Sequence, residues 1–292
     1  MSIYKIDKET IKQLALKKEG FGSEFELRDF FAKNLEEILG VRFLEKEYQI
    51  TEGRIDTLGI DENNSPVIIE YKWKENEEVL SQGLHYLTWL LTNKRHFNLL
   101  VKSKLGEETE VNWDQPRVIL VAQGFSRYIK SAVQRVNNVE LKTYNLYEGE
   151  VLHIENEYSP FPERVKTETE HAHNEETTEY DLNYHLNITS VEMQKAVQEL
   201  RAKILELSSV EENVAQKTGI TYRTTKSFTR FEFRGTWIQV LVRDSSYPED
   251  TQKEIKDITS YQYGYRGLIK FTPQSNIDYI FSLVKASYSS TL

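Results

Sequence analysis

Residues 53–72 read Gly53-Arg54-Ile55-Asp56-Thr57-Leu58-Gly59-Ile60, then Asp61-Glu62-Asn63-Asn64-Ser65, then Pro66-Val67-Ile68-Ile69-Glu70-Tyr71-Lys72. The polar middle segment is a dense turn signal between two apolar, β-branched runs, and it predicts an antiparallel hairpin centred near Asn63. In that register Asp56 faces Glu70 across the hairpin. Because side chains alternate along a strand, Lys72 lies on the Glu70 face and Tyr71 on the opposite face.

Two acidic side chains at facing positions need a compensating charge. Carboxylates about 4 Å apart repel each other by about 4 kcal/mol at an effective dielectric constant of about 20. A divalent cation between Asp56 and Glu70 removes this repulsion, and oxygen-rich sites suit Mg²⁺ or Mn²⁺. The alternative is an exposed hairpin with solvated carboxylates. The flanking Ile55, Ile68 and Ile69 favour a buried strand, in which unpaired charges are unusual.

At these residues the chain resembles the PD-(D/E)XK nuclease superfamily, and within it the archaeal and actinobacterial mismatch endonucleases. The matching pattern is Gly-Arg-Ile-Asp, a hairpin, and an apolar run that ends in Glu-x-Lys. Two further segments fit. Residues 23–27 (Ser-Glu-Phe-Glu-Leu) open a predicted helix where the family carries a glutamate, and residues 81–86 (Ser-Gln-Gly-Leu-His-Tyr) match the Gln-x-x-x-Tyr helix of the RecB-like members. The resemblance covers roughly residues 20–150.

The resemblance implies a metal-dependent nuclease that hydrolyses phosphodiester bonds, with DNA as the expected nucleic acid. Asp56 and Glu70 would hold Mg²⁺ or Mn²⁺ together with the main-chain carbonyl of Tyr71. Glu24, in the first turn of its helix, would support the metal through water. The other interpretation of Glu24 is an acidic residue placed favourably at a helix N-terminus.

Four more residues receive roles from the same resemblance. Lys72 would position the attacking water or stabilise charge on the phosphate. Gln82 is expected to orient the backbone as a further catalytic residue. Tyr86 lies four residues after Gln82 and shares its helix face, so both are expected to contact the catalytic hairpin or the substrate. Arg54 is predicted to bind substrate beside them.

The composition restricts the class of protein. The chain has 292 residues, 39% hydrophobic and 28% charged, which is typical of a globular protein with room for two domains. No run reaches the roughly 18–20 apolar residues of a membrane span. The absence of cysteine excludes disulfides, thiolate metal sites and cysteine nucleophiles, and it fits a cytoplasmic protein.

Apolar periodicity predicts an α/β fold for residues 1–155, with a restriction-endonuclease-like mixed sheet flanked by helices. The predicted helices cover residues 11–16, 24–39, 76–93 and 128–136. The predicted strands cover residues 41–50, 55–60, 66–73, 97–101, 118–121, 139–147 and 150–155.

Residues 156–186 are predicted to be an acidic flexible linker, because they contain eight acidic and two basic residues, Pro160 and Pro162, and almost no aliphatic side chains. Residues 187–292 are predicted to form a small α+β domain, with helices at 190–207 and 277–288 and strands within 228–242. This region resembles an uncharacterised domain found beside nuclease-like modules.

The C-terminal region interleaves basic and aromatic residues, as nucleic-acid-binding grooves do; they are Tyr222, Arg223, Lys226, Phe228, Arg230 and Arg234. With 14 basic and 12 acidic residues, 187–292 is the only region with a positive balance. Arg230 and Arg234 are therefore predicted to bind nucleic acid, with the domain acting as a tethered basic partner of the nuclease domain. A solvated basic face of an amphipathic sheet explains the pattern equally well.

Two rival functions remain at this stage. One is a non-catalytic nucleic-acid-binding module on the nuclease fold, and the other is a protein-interaction module. The mismatch endonucleases also carry a separate domain before the nuclease domain, whereas this chain begins almost directly with the nuclease segment. Mismatch specificity is therefore not transferred, and a homodimer is left open.

Overall fold

The computed structural model describes residues 2–7, 10–18, 20–73, 77–160, 180–234, 236–259 and 264–292. These residues form two six-stranded sheets and a separate two-stranded ribbon, β1 (Tyr4–Asp7) with β2 (Thr10–Gln13). None of the helices described has the length and hydrophobicity of a membrane span.

The first sheet is mixed, which confirms the predicted fold class. Its strand order is β3-β4-β5-β6-β7-β8. The pairs β5–β6 and β6–β7 are parallel and the other three are antiparallel. The strands are β3 (Val41–Ile50), β4 (Gly53–Asp61), β5 (Pro66–Lys72), β6 (Arg117–Ala122), β7 (Val139–Tyr147) and β8 (Val151–Tyr158).

Helices cover both faces of this sheet, as expected for central strands that are apolar on both sides. Residues of α1 and α2 pack with β5 and β6 on one face, and residues of α3, α4 and α5 pack on the other. The helices are α1 (Glu24–Lys33), α2 (Leu35–Leu39), α3 (Val79–Thr92), α4 (Lys94–Leu105) and α5 (Arg127–Val133).

The β4–β5 hairpin has the predicted register, with Thr57 opposite Ile69 and Leu58 opposite Ile68. Its turn is held by the Asp61 carboxylate, which accepts hydrogen bonds from the N–H groups of Asn63 (2.8 Å) and Ser65 (2.9 Å). Short polar side chains that bind nearby N–H groups are the reason such residues favour turns. Local chemistry therefore sets the register that places Asp56 beside Glu70.

The second sheet is antiparallel, with strand order β13-β14-β12-β11-β10-β9, and helices pack on one face. This confirms the predicted α+β architecture. Its strands are β9 (Glu211–Gln216), β10 (Gly219–Arg223), β11 (Ser227–Phe233), β12 (Ile238–Val242), β13 (Ile255–Asp257) and β14 (Gly267–Phe271). Its helices are α6 (Leu182–Asn187), α7 (Val191–Ile204) and α8 (Ile277–Ser289).

Three local predictions are wrong. Residues 11–16 do not form a helix, because residues 10–13 are strand β2. The predicted strand 97–101 belongs to helix α4, where Phe97 and Val101 face the core four residues apart; a short apolar run does not distinguish the two periods. The predicted helix 24–39 is interrupted at Asn34, whose side-chain amide donates to the carbonyl of Phe30 at 2.8 Å.

The predicted linker 156–186 lies largely outside the described residues, which omit 161–179. Of its two ends, residues 156–158 complete strand β8 and residues 182–186 belong to helix α6. The predicted domain limits stay a prediction.

Basic side chains of the second sheet contact the first sheet and its helices. The contacts include Arg223 to Glu140 (2.9 Å), Lys226 to Glu37 (2.9 Å), Arg230 to Asn63 (2.9 Å) and Arg243 to Glu62 (3.0 Å). Asn63 and Glu62 lie in the turn of the β4–β5 hairpin. The second sheet therefore covers the turn end of the hairpin, the end away from Asp56.

Candidate active site

Asp56 and Glu70 lie side by side near the open end of the β4–β5 hairpin. The N–H of Asp56 donates to Oε1 of Glu70 at 3.1 Å, and the N–H of Tyr71 donates to Oδ2 of Asp56 at 3.1 Å. Asp56 is 8% exposed and Glu70 is fully buried. The pairing expected from the sequence register therefore brings two buried carboxyl groups together.

The electrostatics of this pair favour a bound cation. Burial, followed by the nearby Asp56 carboxylate, raises the pKa of Glu70 to about 9. Burial also raises the pKa of Asp56. Oε2 of Glu70 is buried and has no hydrogen-bond partner among the described residues. A buried acceptor without a partner is costly, so the donor chemistry of this pair fits a divalent metal ion.

Lys72 and Glu24 lie together next to the carboxyl pair. The Nζ of Lys72 is 3.6 Å from Oε1 of Glu24, and Oε2 of Glu24 accepts a hydrogen bond from the N–H of Trp73 at 3.4 Å. The N-cap of α1 places Glu24 here, because the hydroxyl of Ser23 accepts from the N–H of Glu26. The structure thus gathers Glu24 and Lys72 at the same end of β5.

Sequence reasoning missed Arg28, which also faces this site. Its NH1 lies 3.7 Å from Oδ1 of Asp56 and 3.4 Å from Oε1 of Glu47. Arg54 pairs with the same Glu47 oxygen at 2.9 Å and keeps half of its side chain exposed. A usable signal existed, since Arg28 follows Glu24 by four residues and so lies on the same face of α1.

Gln82 and Tyr86 contact the start of the β4–β5 hairpin. Nε2 of Gln82 donates to the hydroxyl of Tyr86 at 3.1 Å, and that hydroxyl accepts from the N–H of Arg54 at 3.3 Å. A Cβ atom at Gly53 would come within 2.8 Å of the same hydroxyl. The hydroxyl of Tyr86 therefore packs closely against Gly53, and the pair anchors the main chain near Asp56.

Arg230, which is predicted to bind nucleic acid, lies at the interface between the two sheets. Arg230 is 4% exposed. Its guanidinium donates hydrogen bonds at 2.9 Å to two side-chain oxygens, one on Asn63 in the hairpin turn of the first sheet and one on Thr221 in the second sheet. Arg230 also lines a cavity between the two sheets, and its role in binding nucleic acid stays a prediction. Arg234 remains half-exposed and pairs with Glu232 at 2.8 Å, so its role stays a prediction.

A cavity of about 630 Å³ lies between the two sheets, away from the carboxyl pair. Its walls include the hairpin turn at Asn63 and Asn64 and, from the second sheet, Lys217, Arg234 and Lys256. Acidic and basic residues are balanced around it. The carboxyl pair lies near the other end of β4, so this cavity is separate from the candidate active site.

The raised pKa of Glu70 predicts a pH-dependent stability in the metal-free protein. A carboxyl group that stays protonated in the fold stabilises it at low pH, and this contribution is lost as the pH rises from about 4.3 towards 9. We expect the free energy of unfolding, measured by urea denaturation in chelator, to fall across this range by up to about 1.4 kcal/mol per pH unit. Glu70→Gln should flatten the profile; an unchanged profile in that variant would contradict the assignment.

One family model matches the segment of the chain that contains this site. Residues 23–103 match the family model described as the endonuclease NucS C-terminal domain. That span contains Glu24, Asp56, Glu70, Lys72 and Gln82, and the match confirms the resemblance predicted from the motifs. An uncharacterized protein of Haemophilus influenzae is 26% identical over 302 residues, covering 98% of each chain.

Two solved structures are also similar over part of the chain. The crystal structure of a repair endonuclease from Pyrococcus abyssi is 17% identical with a TM-score of 0.29, and the structure of an EndoMS–dsDNA2 complex is 19% identical with a TM-score of 0.27. Each match covers 47% of this chain and 63% of the other. The chain therefore spans less than two thirds of the length of these structures.

Proposed function

We propose that this protein is a metal-dependent nuclease that hydrolyses phosphodiester bonds in DNA. One observation carries the proposal: the buried Asp56–Glu70 pair, with the unpartnered Oε2 of Glu70, lies in the segment that matches an endonuclease family. A buried pair of like charges is costly without a cation. Lys72 and Glu24 beside the pair supply the groups that phosphoryl chemistry needs.

Asp56 and Glu70 would hold Mg²⁺ or Mn²⁺, together with the carbonyl of Tyr71 and water. A bound ion of this kind lowers the pKa of water and neutralises charge on a phosphate. The Lys72 ammonium stabilises negative charge that develops on the phosphate or orients the attacking water. Glu24, 3.6 Å from Lys72, holds that ammonium in place. Arg28 restrains Oδ1 of Asp56, which lies 3.7 Å from its NH1.

Metal binding is testable by calorimetry. We expect the wild-type protein to bind Mn²⁺, and Asp56→Ala to weaken binding by at least about 100-fold, because loss of a direct ligand should exceed the effect of losing a supporting contact. The matched control is Asp29→Ala on α1, an acidic residue that pairs with Lys46 at 2.8 Å, and it should bind normally. Equal binding in Asp56→Ala and wild type would place the metal elsewhere.

The activity is tested on a panel of substrates. Single-stranded, duplex and branched DNA, with matching RNA, should be incubated with the protein in Mg²⁺, in Mn²⁺ and in chelator. We expect cleavage of DNA that chelator abolishes. If the wild-type protein binds members of the panel but cleaves none with either metal, the non-catalytic nucleic-acid-binding function becomes the better account.

A further inference from the structure

The two-stranded ribbon β1–β2 stands apart from both sheets. All eight residues of its strands are exposed, and Ile6 and Ile11 are 74% and 70% exposed. An isolated two-stranded hairpin is at best marginally stable in water. Ile6 and Ile11 face each other and leave a small apolar patch exposed on the ribbon.

The register of the ribbon sorts its side chains into two unlike faces. Ile6 pairs with Ile11 on one face, and Lys5 lies directly opposite Lys12 on the other. Like charges at facing positions destabilise a strand pair. An anionic group bound by both lysines removes that repulsion, so the ribbon has the charge pattern of an anion-binding element.

The ribbon is joined to the catalytic end of the first sheet. After β2 the chain runs along the end of β7, where the N–H of Lys17 donates to the carbonyl of Leu146 at 2.8 Å. It then reaches Phe21, whose carbonyl accepts from Nε1 of Trp73 at 2.6 Å. Trp73 follows Lys72 directly. Because β5, β6 and β7 are parallel, their ends lie on one edge, and the ribbon leaves from the edge that carries Lys72.

We propose that the β1–β2 ribbon binds the phosphate backbone of a DNA duplex beside the active site, with Lys5 and Lys12 as its contacts; this rests on the proposed nuclease function. Residues 2–18, which comprise the ribbon and the segment after it, contain five lysines and two acidic residues in a chain whose net charge is −9, so this N-terminal segment is locally basic. A two-stranded ribbon also fits a DNA major groove, which is about 12 Å wide.

The test measures duplex affinity and cleavage in the same full-length variant. Lys5→Ala with Lys12→Ala should weaken binding of a fluorescent DNA duplex by about tenfold at low salt. The slope of log K against the logarithm of the salt concentration should become shallower by about two. Cleavage at saturating duplex in Mn²⁺ should stay within about twofold of wild type, because neither lysine contacts the reacting atoms. The control is Lys195→Ala with Lys285→Ala, at two lysines on α7 and α8, the helices that pack on the second sheet.

The outcomes separate this proposal from the nuclease function. Equal duplex affinity in the ribbon variant and wild type, with cleavage intact, overturns the ribbon contact and leaves the nuclease function standing. Ribbon-dependent binding without cleavage supports the contact and contradicts the nuclease function. If Ile6→Ser with Ile11→Ser dissociates a dimer of the wild-type protein while duplex affinity is unchanged, a second copy covers the ribbon and the proposal fails.

Discussion

Lys72→Ala should lower the rate of phosphodiester cleavage at saturating DNA by about 10²–10³-fold, the usual effect of removing one group that stabilises transition-state charge. The physical reason is the position of the ammonium, held by Glu24 at 3.6 Å next to the carboxyl pair. The measurement is single-turnover cleavage in Mn²⁺. DNA affinity should change only a few-fold, because one lysine supplies a small part of the phosphate contacts.

A matched variant distinguishes chemistry from general charge. Lys46→Ala removes another cation near the site, one that pairs with Asp29 at the surface, and it should cleave at the wild-type rate. Calorimetry should show that Lys72→Ala still binds Mn²⁺. Wild-type cleavage by Lys72→Ala, with its fold intact, would remove Lys72 from the mechanism while leaving the metal assignment to its own test.

Glu140→Gln should destabilise the protein by about 3–5 kcal/mol, the usual cost of breaking a buried ion pair from one side. Glu140 is fully buried and its oxygens lie 2.7 Å from Nε of Arg117, 2.9 Å from NH2 of Arg223 and 3.5 Å from Nζ of Lys142. The variant leaves three buried cations without their shared anion. Urea denaturation at neutral pH measures the loss.

The surface pair of Glu157 and Lys130 provides the control. Glu157→Gln should cost less than about 1 kcal/mol, as surface pairs do. Burial opposes ionisation of Glu140, but the cations of Arg223, Lys142 and Arg117 hold its pKa below the ordinary value. Its contribution is therefore present above pH of about 4.3 and lost as the pH falls further. Equal losses in the two variants would contradict a central role for Glu140.

The ion pairs between the two halves of the chain change the interpretation of the basic C-terminal segment. Arg223, Lys226 and Arg230 were expected on a surface that recruits nucleic acid, but all three are buried against the first half of the chain. Their partners include Glu37 and Glu140, so the positive balance of one half meets acidic residues of the other. The second sheet is thus docked on the turn end of the hairpin, and its role as a basic partner that binds nucleic acid stays a prediction.

Local sequence determined the centre of the candidate site. The five-residue turn at 61–65 sets the register of the hairpin, and that register alone pairs Asp56 with Glu70. Turn chemistry and strand alternation act over short separations, which is why they can be read from the chain. Glu24 and Gln82 were found from their helix positions together with the family resemblance.

Only the tertiary structure decided which charged faces meet solvent. Asn63 and Arg230 are 167 residues apart, and no local pattern shows that one binds the other. A basic, aromatic strand has the same sequence pattern whether it faces water, DNA or a second sheet. The choice depends on the shape and charge of both surfaces once they are folded.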